Sequence, residues 1–241
     1  MDAAPLHRAK TYPYPIPDRS YVHRDGFAED ITEENQVPDL RDRVPVLAVG
    51  SNQSPQQLTR KFRDGDWGAI PVLRIHLDGF DSVYSPHIAT YGAIAATLQE
   101  APGVRVTLFV TWLTERQLGR MHETEISSAN YGFGRLGGLR VTCEVGPPLD
   151  SFYIYNSTRG TLCRDGTPIP VAEIPARGRA WTAMNQTQVQ HHVRDRLAPG
   201  KSLDEFIHES IADADLRRQR SDTLKEGARA FTPADFEPIS I

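Results

Sequence analysis

Two stretches, far apart in the chain, carry residue types that can do chemistry. The first is Gly50-Ser51-Asn52-Gln53. It follows the apolar run at residues 44–49 and precedes Ser54-Pro55-Gln56-Gln57. There Ser54 is placed as a helix N-cap, Pro55 at the first helical position and Gln57 as the reciprocal partner of a capping box. A loop in that place presents backbone N–H groups at the positive end of a helix dipole, where a carboxylate or a developing oxyanion can be held. Ser51 and Asn52 add side-chain hydrogen bonds. The lysine of a phosphate-binding loop is missing from this stretch.

The second stretch centres on Glu125. Thr114 and Gln117 predict a helix start with a second capping box. On that helix Leu118 and Met121 set the inward stripe. At about 100° per residue Glu125 returns to the stripe, Glu123 falls well away from it and His122 lies near its edge. An inward carboxylate at a helix end suits proton transfer. It is also a common hydrogen-bonded structural group, and periodicity alone leaves both readings open.

The elements that must position these residues are strand-rich. Residues 44–49 read as a strand covered on both faces. Residues 69–77, 92–98, 104–113, 139–145 and 152–155 are strand-like, the clearest being 104–113. There Val104, Val106, Leu108, Val110 and Trp112 share one face. Helices are expected over 55–64 and from Glu115. The order is not a regular β-α-β alternation, which points to a mixed or closed sheet with packed helices. The expected layout is an irregular N-terminal arm over 1–43, a core domain over 44–175 and a helical C-terminal extension over 176–241. Within that extension Asn185 opens one helix, Ser202 caps a second with Glu205, and 213–226 forms a mixed-charge third.

Composition bounds the function. With 241 residues, 39% of them hydrophobic, the chain can bury a sizeable core. A formal charge of −4 gives no bulk attraction to nucleic acid or anionic membrane. No run is long enough to span a membrane, and the first ten residues lack the apolar centre of a secretory signal. Cys143 and Cys163 make no metal-binding pair or disulfide framework, so a cytoplasmic, reduced protein is expected.

Taken together, the two motifs resemble the gamma-glutamylcyclotransferase-like superfamily. Residues 46–52, Val-Leu-Ala-Val-Gly-Ser-Asn, are similar to its opening strand and Y-G-S-N-type loop. Residues 104–118 followed by Met121-His122-Glu123-Thr124-Glu125 are similar to its strand, helix and L-D-x-x-E element, with Glu125 in the place of the catalytic glutamate. Residues 92–98 resemble the A-T-[IL] strand between them. The resemblance covers roughly residues 44–160. It implies an α+β fold with a small mixed β-barrel and flanking helices. It also implies cofactor-independent cleavage of a gamma-glutamyl amine to 5-oxoproline and free amine. Val49, Met121-His122 and Ile126 depart from the family pattern.

The expected partner is a small molecule with a gamma-glutamyl-like carboxylate. Nucleic acid, membrane and metal are not expected, and the oligomeric state is open. Gly50, Ser51, Asn52 and Gln53 are the substrate-binding candidates, with Glu125 as general acid/base. Tyr153 and Tyr155 alternate with Ile154 on a strand, and pocket lining and core packing are both open to them. His122 reads as a supporting histidine. The glycine-rich residues 131–138 read as a mobile hairpin or lid. The rival reading is a non-catalytic member of the same fold that binds a small carboxylate or a partner.

Overall fold

The computed structural model describes residues 3–126 and 130–241. In chain order the elements are α1 (Ala3–Lys10), β1 (Tyr21–Arg24), β2 (Phe27–Asp30), β3 (Val44–Ala48), α2 (Pro55–Lys61), β4 (Ile70–Ile88), β5 (Ile94–Leu113), α3 (Glu115–Glu125), β6 (Tyr131–Leu136), β7 (Val141–Cys143), β8 (Phe152–Ser157), β9 (Cys163–Arg164), β10 (Thr167–Pro168), β11 (Ala176–Arg177), α4 (Gln186–Leu197), α5 (Leu203–Ala212), α6 (Ala214–Lys225) and β12 (Phe236–Ile239). The main sheet runs β12-β6-β8-β3-β5-β4-β1-β2, with β11 added to β5 and β7 to β4. Only the β3–β8 pair is parallel among the described strands.

The frame is the antiparallel β4–β5 hairpin, which absorbs three of the expected strands into two long ones. Val104, Val106, Leu108, Val110 and Trp112 are all buried, as the alternation predicts. From Phe109 onward the opposite face is buried too, because Leu58 of α2 and Met121 of α3 pack there with Phe109 and Leu113. β3 is likewise covered on both sides, Val46 facing these helices and Leu47 the larger core. That two-sided burial is what a short unbroken apolar strand encodes.

The fold is α+β, as expected, but the sheet is an open path and not a closed barrel. It curls far enough to bring the distal half of β5 against the end of β8. The joint there is made by side chains. Asn156 Oδ1 accepts from Thr97 Oγ1 at 2.6 Å and from the Leu98 N–H at 3.1 Å, and Thr97 Oγ1 accepts from the Ser157 N–H at 3.0 Å. The Asn156 amide and the Thr97 hydroxyl bridge the strands where a closed barrel would have a backbone ladder.

The N-terminal segment is not irregular. It forms α1 and the β1–β2 hairpin, which extends the sheet beyond β4. The hairpin turn is Asp25-Gly26, both at positive φ (49° and 84°), a two-residue D-G turn whose twist suits adjoining strands. Of residues 131–138, expected as a flexible hairpin or lid, 131–136 form β6, paired between β8 and β12. Its glycines serve packing: a Cβ on Gly134 would lie 2.5 Å from the Phe236 ring. The C-terminal extension is helical through α4, α5 and α6, and then returns to the sheet as β12. Ser202 forms the expected capping box with Glu205, and Asn185 forms a further one with Gln188. No helix among the described residues is long and apolar enough to cross a membrane.

The distal half of the hairpin is anchored by Asp81, which is fully buried and accepts two 2.8 Å bonds from Arg179. Removing one partner of such a pair leaves a charge uncompensated, so Asp81→Ala is expected to lower unfolding free energy by about 3–5 kcal/mol. Urea melts of the two proteins measure it.

Candidate active site

Three chain segments converge at one end of the helical layer. β3 delivers the 50–53 loop, α2 ends at Lys61, and α3 ends at Glu125. Thr114 and Gln117 form the predicted capping box, which fixes where α3 starts. Met121 is buried against the sheet, Glu123 lies outward beside Arg120, and Glu125 returns inward. The most buried positions of α3 are Gln117 and Met121, slightly off the stripe expected from Leu118. Gln117 is drawn in because its amide donates to the Trp67 and Ala69 carbonyls.

The Glu125 side chain is 17% exposed and is clasped by two groups. Asn52 Nδ2 donates to its Oε1 at 3.0 Å, and the Lys61 ammonium pairs with the same oxygen. The Lys61 side chain is only 7% exposed and also lies 3.4 Å from Met121 Sδ. Asn52 Oδ1 is buried with no partner among the described residues. With Nδ2 committed to Glu125, that oxygen is a spare acceptor beside the carboxylate.

This cluster opens on a cavity of about 460 Å³. Gly50, Ser51, Asn52, Lys61, Glu125 and Tyr155 line it, together with Tyr12 from the N-terminal segment. The end of β4 supplies His87 and the turn after it Tyr91, and Arg159, Arg217 and Arg218 come from later in the chain. Among the described lining residues Glu125 is the one acid against four basic side chains. Arg159 and Arg218 pair with Asp222 and Asp215, whereas Arg217 donates to the Ser210 and Ile211 carbonyls. The pocket wall is therefore cationic, with one guanidinium matched to backbone oxygens instead of a carboxylate.

Aromatic groups complete the walls. The phenols of Tyr12, Tyr91, Tyr131 and Tyr155 are pushed up by burial, with a smaller contribution from the Glu125 charge, so they stay protonated donors. Tyr155 OH is bonded to His122 Nδ1 at 2.7 Å, which makes His122 a support for a pocket residue. Tyr12 packs so closely under the loop that a Cβ on Gly50 would fall 2.1 Å from its oxygen. Glycine at position 50 is required by that approach.

Gly50, Ser51, Asn52, Glu125 and Tyr155 thus meet in one pocket, and two sequence candidates do not. Gln53 is buried behind the loop. Its Nε2 donates to Gly50 O at 3.2 Å, its own N–H is spent on the same carbonyl, and its carbonyl accepts from Tyr21 OH. Tyr153 shares a face with Tyr155 but lies one pleat repeat further along β8, stacked on Phe133 at 5.3 Å. The amide cradle is also smaller than expected. The Ser54 N–H bonds Ser51 O, and the Ser51 N–H faces the Tyr12 phenol. Ser54 sits at the N-cap of α2 but its Oγ is buried without a partner among the described residues, so that capping box does not form.

Lys61, Tyr12, His87 and Arg217 were not among the sequence candidates. Lys61 had a signal, since it lies three positions after the inward Leu58, a lysine on an apolar stripe. The others are brought in by tertiary packing. Arg217 and Arg220 belong to a stretch that reads as a solvated charged helix. Arg220 is instead buried, bonded to Glu209 and Ser210, and Arg217 turns to the pocket. No group of three potential metal ligands occurs among the described residues.

The chain is similar to a solved structure titled gamma-glutamyl cyclotransferase. The two are 17% identical, with a TM-score of 0.38, over 48% of this chain and 67% of that one. It is also similar to the crystal structure of the uncharacterized protein loc79017 from Homo sapiens, 13% identical with a TM-score of 0.42, over 69% of this chain and 87% of that one. No family model matches the chain, and no curated protein matches it. Fold does not by itself imply function, which must be argued from the pocket.

His87 gives the site a pH signature. Burial, and secondarily the Arg159 charge, lowers its pKa to about 4. Its Nδ1 is bonded to Ser85 Oγ at 2.9 Å. The unfolded chain takes up this proton below about pH 6.5 and the folded one only near pH 4, so folding stability falls as pH drops through that window. The loss expected from this group approaches 3 kcal/mol, at about 1.4 kcal/mol per pKa unit. Urea melts between pH 7 and pH 4.5 should show a steeper decline for the native protein than for His87→Gln.

Proposed function

We infer that the pocket binds a gamma-glutamyl amine and cleaves it by intramolecular cyclisation, releasing 5-oxoproline and the free amine, with Glu125 as general acid/base. The observation that carries this reading is the Asn52–Glu125 hydrogen bond. It joins the polar loop and the acidic helix end, the two motifs whose order and spacing resemble the superfamily, at the mouth of a single cavity.

The chemistry needs little beyond positioning. The substrate's α-amine is tethered to the γ-carbonyl it attacks, and holding the chain bent supplies much of the acceleration. Its ammonium suits the Glu125 carboxylate, the acid among the described residues that line the cavity. Glu125 takes one proton from it, and the freed amine attacks the γ-carbonyl carbon. Charge develops on the carbonyl oxygen, where protonated phenols and loop groups such as Ser51 can donate to it. The C–N bond then breaks as the leaving nitrogen gains a proton, and the ring nitrogen's remaining extra proton passes to the freed amine, which departs as an ammonium. The cationic wall, Arg217 in particular, suits the carboxylate of such a substrate.

One observation favours the rival reading of a binding protein without turnover. Lys61 already neutralises Glu125, as in a structural ion pair. A single variant decides between them. Glu125→Gln is expected to reduce 5-oxoproline release from gamma-glutamyl dipeptides by at least about 100-fold, the scale of a general acid/base. Added 5-oxoproline should still raise its melting temperature. Unchanged release would remove Glu125 from the chemistry, and a native protein that binds 5-oxoproline but forms none would establish the rival.

A further inference from the structure

The clasp around Glu125 contains a second proton carrier that a single-carboxylate reading leaves without a task. Lys61 is almost fully buried, lines the cavity, and pairs with the same Glu125 oxygen that Asn52 holds. A lysine is an expensive side chain to bury for positioning alone, since Asn52 already orients the carboxylate through a neutral hydrogen bond. We propose that Lys61 is a catalytic residue that delivers the proton to the leaving amine, relaying the one Glu125 has taken from the substrate. This rests on the cyclisation reading given above.

The steps balance. Glu125 carboxylate accepts a proton from the substrate α-ammonium and becomes neutral. The amine lone pair forms the new C–N bond at the γ-carbonyl carbon, whose π electrons move to oxygen. At that moment the Lys61 ammonium has lost its counter-charge in a dry place. Desolvation disfavours an unpaired buried ammonium, which favours surrender of its proton. The proton goes to the nitrogen of the departing amine, the carbonyl re-forms and the old C–N bond breaks, and the ring nitrogen gives its second proton to the freed amine, which leaves as an ammonium. The neutral Lys61 amine then takes the proton held by Glu125, and the ion pair is restored. No oxidant, metal or water is consumed. An aliphatic ammonium is also well matched to an aliphatic leaving amine, since the two hold their protons with comparable strength.

Three readouts separate this role from mere orientation of Glu125. The probes are gamma-glutamyl-alanine, whose amine depends fully on protonation to leave, and gamma-glutamyl-4-nitroanilide, whose electron-poor nitroaniline depends on it much less. Lys61→Met is expected to lose about 100-fold in kcat on the alanine substrate and less than about tenfold on the nitroanilide. That ratio, taken within one variant, does not depend on how much of the variant folds. Lys61→Arg keeps the charge and the pair with Glu125 but cannot give up a proton, so it should show the same selective loss. An arginine variant with native kcat on gamma-glutamyl-alanine would overturn the proposal in favour of a positioning residue, as would equal losses on both probes in the methionine variant. If the native protein turns over neither probe, the cyclisation reading itself fails. That outcome is distinguishable because no variant is needed to see it.

Discussion

Everything about the pocket depends on one buried ion pair with a hydrogen bond on its flank. Lys61 closes the end of α2, Glu125 closes the end of α3, and Asn52 ties both to the loop after β3. Buried charges are costly unless paired, and the pair is worth having only when its geometry is held from outside. That holding is done by the sheet. Phe109, Leu113 and Val46 seat Leu58 and Met121, which leaves the two helix ends no freedom to part. The pair in turn gives the cavity an acid surrounded by cations and protonated phenols.

The larger architecture serves the same end by an unusual division of labour. The β4–β5 hairpin is a spine for both layers, yet its distal half is also a wall of the cavity, carrying His87 and Tyr91. Segments on either side of the central motifs finish the enclosure. Tyr12 comes from before the first core strand, and Arg217 from the helix that packs on β4. The side-chain bridge at Asn156 lets the sheet curl toward closure without locking it, leaving room at that end for the residues that line the cavity.

What could be read from the sequence was whatever depends on local order. Thr114 with Gln117, and the return of Glu125 to the inner face, follow from spacing along one helix. The burial of β3 and β5 follows from their apolar patterns. What could not be read depends on partners distant in the chain. Gln53 belongs to the same polar loop as Asn52, but its amide turns back on Gly50, and only the Tyr21 contact behind the loop explains that choice. Tyr153 and Tyr155 are indistinguishable by alternation and both pack on Phe133, but Tyr155 alone of the two lines the cavity, its hydroxyl bonded to His122 of α3. The Asp25-Gly26 turn was a local signal that pointed to order in the N-terminal segment, and it outweighed the charge-rich composition around it.

The contact between Gly50 and Tyr12 has a consequence for how the molecule matures. The cavity draws on position 12 and position 221 alike, so no partial chain emerging from a ribosome can own it. The segments from Tyr12 to Ser221 must all be docked before this seat is complete. A ligand that prefers the finished seat therefore stabilises the entire fold and not one lobe of it, since binding to the native state alone adds to global stability.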